Sequence, residues 1–255
     1  MQAINITVVQ TTLHWENIDL NLEHFTKKLA PIEQTDLIIL PEMFTTGFSM
    51  QPEKLAKESS EKGLAWMQAM AKSKNGAVTG SLMFEDNGTY YNSLLFVLPD
   101  GTYQRYNKRH LFSLAEENQH YTRGHERLVV DYKGWKICPL ICFDLRFPVF
   151  SRNNVNYDLL IYVANWPEKR HYAWQQLLKA RAIENQSYVI ACNRLGEDGN
   201  GIPHKGGSAI INYVGEEIGF DKDDNIFQFN LNKESLIQFR NDFPFLNEQD
   251  LFEIK

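Results

Sequence analysis

Cysteine is scarce in this 255-residue sequence: Cys138, Cys142 and Cys192 are the only three. Three thiols are too few, and odd in number, for a disulfide framework, which points to a reducing compartment and leaves at least one thiol free. No apolar run approaches the ~20 residues of a membrane helix. Met1 to Gln10 alternates like a strand, unlike a signal peptide, so no membrane partner and a cytoplasmic location are expected. Basic clusters are missing too. With 26 Lys+Arg against 32 Asp+Glu, a net charge of −6, the chain lacks the footprint of a general nucleic-acid binder. There is no internal repeat, low-complexity stretch or Pro/Gly/Ser-rich linker, so a single domain over residues 1–255 is expected. Neither a Walker A pattern, an HExxH pair nor a Gly-x-Ser-x-Gly elbow occurs, and Gly196, Gly199 and Gly201 lack the strand-to-helix context of a dinucleotide fingerprint. Cys138 and Cys142 have no second pair to complete a tetrahedral site. No metal and no cofactor are expected.

What is present is a globular composition, 43% hydrophobic and 23% charged, able to bury a sizeable core. Ile4, Ile6 and Val8 alternate as a strand, Leu20, Leu22, Phe25 and Leu29 mark an amphipathic helix, and Asp36 to Leu40 is a second strand. A helix is expected near Gly63 to Lys74. Strands Ala77 to Phe84 and Tyr90 to Leu98 join through Asn87-Gly88, a dipeptide that supplies the positive φ angles of a hairpin turn. Further strands are expected at Tyr103 to Tyr106, Leu128 to Tyr132, Trp135 to Ile141, Leu159 to Val163, Tyr188 to Asn193, Ala209 to Tyr213 and Ile226 to Leu231. A helix covers Ala173 to Ser187. Hairpins mixed with strand-helix-strand units imply a layered α/β architecture with parallel and antiparallel pairs. The aromatic tail, about residues 232–255, is expected to pack on the core or on a second subunit.

Four apolar strands each run into a polar group: Leu37 to Leu40 at Glu42, Tyr103 to Tyr106 at Lys108, Trp135 to Ile141 at Cys142, and Leu159 to Val163 at Asn165. Ligands of α/β sheets sit beyond the carboxyl ends of strands, where side chains from separate segments converge. Cys142 is a nucleophile if a helix following it favours thiolate through its dipole, and a structural cysteine otherwise. Cys138 and Cys192, set within strands, take the structural reading. Glu42 reads equally as a solvated loop residue or as a base with raised pKa. Lys108 is a snorkelling surface cation or, near the other two, an oxyanion donor. His110, His120 and His125 read as surface or structural. Arg181, on the stripe of Trp174, Leu177 and Leu178, calls for a partner such as Glu184.

Pro41-Glu42-Met43-Phe44, Asn107-Lys108-Arg109-His110-Leu111-Phe112 and Ile141-Cys142-Phe143-Asp144-Leu145-Arg146-Phe147-Pro148, in this order, resemble the signature blocks of the nitrilase superfamily of carbon-nitrogen hydrolases. The resemblance continues through Asn165-Trp166-Pro167, Arg181 to Glu184 with Tyr188, and Gly207-Ser208, reaching about residue 215. The wording around Cys142 to Asn153 and Asn165 to Asn185 is most similar to bacterial omega-amidases, which hydrolyse the terminal amide of 2-oxoglutaramate and 2-oxosuccinamate. It implies a four-layer α-β-β-α sandwich with two mixed sheets, and usually homodimers. It also implies Glu42 as general base, Lys108 as oxyanion stabiliser, Cys142 as nucleophile forming a thioester, and the Phe143 backbone N–H as a second oxyanion donor. The second family glutamate is best matched by Glu117 from its distance to Gly124, with Glu116 the neighbouring alternative. For the substrate's far carboxylate, Arg146, Arg170, Arg109 and His171 are candidates. Phe44, Phe48, Asn165 and Trp166 would complete the binding site. Nitrile or N-carbamoyl hydrolysis would use the same residues, and a non-catalytic thiol sensor or binding protein is the competing class.

Overall fold

A computed structural model describes residues 3–220 and 226–254, except for the side chain at 220. Met1, Gln2 and Lys255, at the ends of the expected first strand and tail, lie outside the described residues. In chain order the chain forms β1 (Ala3–Val9), α1 (Ile18–Leu29), β2 (Leu37–Ile39), α2 (Pro52–Lys74), β3 (Ala77–Asp86), β4 (Thr89–Val97), β5 (Tyr103–Asn107) and α3 (Glu117–His120). It continues with β6 (Val130–Tyr132), β7 (Trp135–Ile141), α4 (Pro148–Ser151), β8 (Leu159–Ala164), α5 (His171–Asn185) and β9 (Tyr188–Asn193). The remainder is β10 (Leu195–Glu197), β11 (Pro203–Lys205), β12 (Ala209–Ile211), β13 (Glu217–Phe220), β14 (Ile226–Asn232) and α6 (Lys233–Asp242).

Two six-stranded sheets result, in the orders β14-β1-β2-β3-β4-β5 and β13-β12-β9-β8-β7-β6. Each has a parallel centre, β1-β2-β3 in one and β7-β8-β9 in the other, with antiparallel strands outside. Strand alternation builds the layers. Leu37 and Ile39 enter the apolar core shared with β7, β8 and β9, whereas Ile38 and Leu40 pack with Phe25, Leu29, Met67 and Ala71 of α1 and α2. On the second sheet's outer side Trp174, Leu178 and Ala182 of α5 and Leu236 of α6 complete the core. The α-β-β-α sandwich follows from these two faces per sheet.

Local signals explain most elements. The Asn17 side chain accepts the Leu20 N–H at the start of α1. Asn87 and Gly88 take φ of +52° and +77° at the β3–β4 turn. The second helix, however, begins at Pro52 rather than near Gly63. Gly63 is internal because a Cβ there would lie 2.8 Å from Leu82 Cδ2, so its glycine allows α2 to lie close on β3. Arg181 finds the partner the sequence demanded, Glu184 at 2.9 Å, and also donates to the Leu145 carbonyl at 2.6 Å. After β14 the chain packs on the second sheet, where the Phe239 ring lies 4.7 Å from Tyr213 and Gln186 donates to the Phe243 carbonyl. No helix among the described residues is long and apolar enough to cross a membrane.

Candidate active site

Glu42 lies just beyond β2, in a segment pinned to β3 through Leu40 N–H to Thr79 O at 2.8 Å, Met43 N–H to Ser81 Oγ at 2.9 Å and Phe44 N–H to Ser81 O at 3.0 Å. It is fully buried, so the solvated-loop reading falls. Its Oε1 accepts from Lys108 Nζ at 2.8 Å and from Asn92 Nδ2 at 2.9 Å, and its Oε2 from the Asn165 N–H at 2.8 Å. Asn165 Nδ2 donates to the Glu42 carbonyl at 2.6 Å, tying the carboxyl end of β8 to that of β2 across the sandwich.

Lys108 follows β5 and is equally buried. Its N–H donates to Asn92 O and its carbonyl accepts from Gly124 N–H, both at 2.9 Å. Gly124 is obligatory in this clasp, because a Cβ there would sit 2.1 Å from the Asn107 carbonyl oxygen. The ammonium donates to both Glu117 oxygens at 3.0 Å and lies 5.1 Å from the Phe48 ring centre. Glu117 also accepts from Phe112 N–H at 2.6 Å and Asn92 Nδ2 at 3.1 Å. Glu117 is buried and Glu116 exposed, so the second glutamate facing Lys108 is Glu117.

Cys142 directly follows β7 and opens a short 3-10 helix, Cys142–Arg146. Its φ of +42° is unusual for a non-glycine residue, and Met43 (+45°) and Glu116 (+61°), beside the two carboxylates, share the left-handed region. Such strain persists only where surrounding structure fixes it, and it gathers at functional sites. Asp144 supplies that fixing. Fully buried, it accepts from Ile141 N–H at 3.0 Å, Tyr106 hydroxyl at 2.7 Å, and the N–H and Nδ1 of His110 at 3.1 and 2.7 Å, joining the Lys108 segment to the thiol segment.

Burial opposes the charge of Lys108, but Glu117 and Glu42 outweigh it and hold its pKa above the ordinary lysine value. Burial, then Glu42, raises that of Glu117 against the pull of Lys108 and the N–H groups of Phe112 and Asn92. The Cys142 thiol is pushed well above its usual range by burial first, then by the charge of Glu42, against the pull of Lys108. A helix dipole that favours thiolate is therefore not what the chain builds: a 3-10 helix this short does not outweigh an adjacent carboxylate.

The pocket above these groups encloses about 500 Å³, its mouth included. Glu42, Phe48, Lys108, Cys142, Phe143, Asn165 and Trp166 line it together with Arg146 and Arg170. Arg146 lies 5.1 Å from the Trp166 ring centre and Arg170 4.9 Å from that of Phe112, so aromatic faces hold both cations.

Three candidates lie elsewhere. Phe44, after the left-handed Met43, points to the helix layer against Phe25 and Trp66, at 5.6 and 5.7 Å. His171, the first residue of α5, abuts Gly207 and does not line the pocket. Arg109 donates to the His125 carbonyl and lies over Phe150.

Sequence reasoning missed Asn92, Asp144 and Asn193. Asn193 clamps the pocket loop by accepting the Trp166 N–H at 2.8 Å and donating to the Trp166 and Gly206 carbonyls at 3.0 and 2.7 Å. An asparagine at the end of apolar β9 was a usable signal, of the same kind as Asn165. Asn92, within β4, and Asp144, beyond the thiol, gave none that distinguished them from surface polar residues.

A thiol at a pocket wall beside a buried cluster of two carboxylates and an ammonium is an arrangement suited to acyl transfer. The chain belongs to the carbon-nitrogen hydrolase family, whose model matches residues 5–222. It is an amidase of this family. Its relatives include omega-amidase YafV of Escherichia coli, 43% identical over all of both chains, and a 2-oxoglutaramate amidase of Bacillus subtilis, 35% identical over 72% of this chain and 71% of that protein. Among solved structures, XC1258 of Xanthomonas campestris, a CN-hydrolase superfamily protein with an arsenic adduct in its active site, superposes with a TM-score of 0.95 at 38% identity over all of both chains.

Proposed function

We propose that this amidase hydrolyses the terminal amide of a small omega-amido dicarboxylate, such as 2-oxoglutaramate or 2-oxosuccinamate, through a thioester on Cys142. The observation that carries the reading is the buried Glu42–Lys108–Glu117 cluster beside the Cys142 thiol, beneath a wall bearing Arg146 and Arg170. The cluster suits amide chemistry and the two arginines suit a far carboxylate.

Glu42 takes the thiol proton as sulfur attacks the amide carbon. Lys108 and the Phe143 backbone N–H hold the oxygen of the tetrahedral adduct, since the first N–H groups of a helical turn have no partner within it. Glu42 then returns the proton to nitrogen, the C–N bond breaks, and ammonia leaves an acyl-sulfur bond. Water, deprotonated by Glu42, attacks the thioester, and collapse of the second adduct releases the acid and restores the thiol. Glu117 holds the Lys108 ammonium in position. The reading includes a homodimer, supported by exposed Tyr172 and Ile183 on α5 and checked by light scattering.

The test is ammonia release from 2-oxoglutaramate, succinamate, a simple nitrile and an N-carbamoyl amine, with intact-mass analysis of the acyl adduct. The first two substrates should react, the adduct should map to Cys142 and yield a hydroxamate with hydroxylamine, and Cys142→Ala should release no ammonia. Ammonia from only the nitrile or the carbamoyl amine would overturn the assignment.

A further inference from the structure

Asn92 lies fully buried on β4, between β3 and β5, and touches Glu42, Lys108 and Glu117 without lining the pocket. Its main-chain carbonyl accepts the Lys108 N–H at 2.9 Å. Its side-chain Nδ2 donates to Glu42 Oε1 at 2.9 Å and to Glu117 Oε1 at 3.1 Å. Ionised carboxylates only accept, so the nitrogen is the amide atom that stands between the two acids. Asn92 Oδ1, in turn, is buried with no hydrogen-bond partner among the described residues. An unpaired buried oxygen is unfavourable, and here it accompanies the aiming of both amide hydrogens at carboxylates.

The supply of donors shows what that amide adds. Every hydrogen of the Lys108 ammonium is taken, by Glu42 Oε1 at 2.8 Å and by the two Glu117 oxygens at 3.0 Å. One ammonium thus serves two carboxylates, both within reach of a single nitrogen of Asn92. Burial and the charge of Glu42 raise the Glu117 pKa, while Lys108, the Phe112 N–H and the Asn92 amide oppose the rise. Two acids this close retain a proton between them when donors to their ionised forms are too few. A proton retained there would occupy the base before the thiol delivers its own. The other titratable groups near the pair are Cys142, the source of that proton, and Tyr121. The Tyr121 hydroxyl donates to the Ser49 carbonyl at 2.7 Å, so it gives the acids no hydrogen.

We propose that Asn92 is a positioning residue of the reaction: its two amide hydrogens hold Glu42 and Glu117 ionised together on one ammonium, which leaves Glu42 open to the thiol proton. The proposal rests on the amidase reading above and deepens it at the base. The experiment follows kcat and KM from about pH 4 to pH 8, on whichever amide the enzyme turns over, in wild type, Asn92→Leu and Asn92→Asp. Leucine keeps the bulk and removes both hydrogens; aspartate puts a third acid in their place. A carboxylate that loses a donor keeps its proton to higher pH. The acid limb of kcat/KM should therefore stand about one pH unit higher in Asn92→Leu, a tenfold change in proton affinity, and higher again in Asn92→Asp. The loss should fall on kcat, with KM little changed, because Asn92 is outside the pocket wall. A loss by the same factor at every pH would make Asn92 a packing residue and overturn the proposal, as would the wild-type profile in both variants. Scanning calorimetry without substrate separates this from failure of the amidase reading. A carboxyl whose folded pKa is raised loses its stabilising contribution as pH rises through that value, so the Tm deficit of both variants should grow between pH 5 and pH 8. A deficit independent of pH would overturn the proposal even if 2-oxoglutaramate were not hydrolysed.

Discussion

Removing the ammonium of Lys108 while keeping most of its bulk, as in Lys108→Met, tests whether the buried cluster is held together by charge. Nζ lies 2.8 Å from Glu42 Oε1 and 3.0 Å from both Glu117 oxygens. At that range and an effective dielectric near 20, each attraction is worth roughly 5 kcal/mol, from which desolvation subtracts several kcal/mol per ion. Removing one partner from a buried pair costs about 3–5 kcal/mol because the other charge stays behind. Here two carboxylates stay behind, sharing the Asn92 amide. At about 2–4 °C per kcal/mol for a chain of this size, Tm should fall by roughly 6–20 °C at neutral pH.

The pH dependence gives the prediction its sign. Burial and Glu42 already raise the Glu117 pKa against the pull of Lys108, so losing that pull raises it further. A carboxyl whose folded pKa exceeds its unfolded one contributes stability fully below the unfolded value and loses it as pH rises through the folded value. The Tm deficit of Lys108→Met should therefore be small near pH 5 and grow towards pH 8. Lys108→Met/Glu117→Gln, which removes one of the stranded charges, should recover much of the loss. Scanning calorimetry of wild type and both variants from pH 5 to 8 is the assay. A deficit independent of pH would assign the cost to packing, and one below about 2 °C throughout would refute the electrostatic account of the site.

In Glu42→Gln the charge that raises the thiol pKa, second only to burial, is gone while Lys108 remains. Alkylation of Cys142 by iodoacetamide, followed by intact mass, should move to lower pH even as amide hydrolysis is lost; an unmoved or upward-shifted profile would show that Glu42 does not govern the thiol. Gly124→Ala should cost about 1–3 kcal/mol, because the added methyl meets a main-chain carbonyl that cannot rotate away, and should lower kcat at least tenfold by loosening the clasp on Lys108. Wild-type kcat and Tm in that variant would mean the clasp does not position the ammonium.

The sequence by itself determined the layers and the address of the chemistry. The alternation in β1 marks a strand with one apolar face, the unbroken apolar runs of β2 and β8 mark strands buried on both, and a polar residue placed just after such a run emerges at the sheet edge, where Glu42, Lys108, Cys142 and Asn165 were expected. Only the tertiary structure decided what those residues meet. Asn92 and Asp144 look like ordinary polar residues until β4 and the turn after β7 bring them against groups 50 and 34 positions away. Which of Glu116 and Glu117 faces the lysine depends on a single left-handed residue, and the same kind of reversal at Met43 sends Phe44 to the helices while Phe48 reaches the ammonium. The sign of the thiol shift was also beyond local sequence, because it depends on how much water the fold excludes and which charge is nearest. Those are sums over contacts between distant segments, and a linear pattern does not contain them.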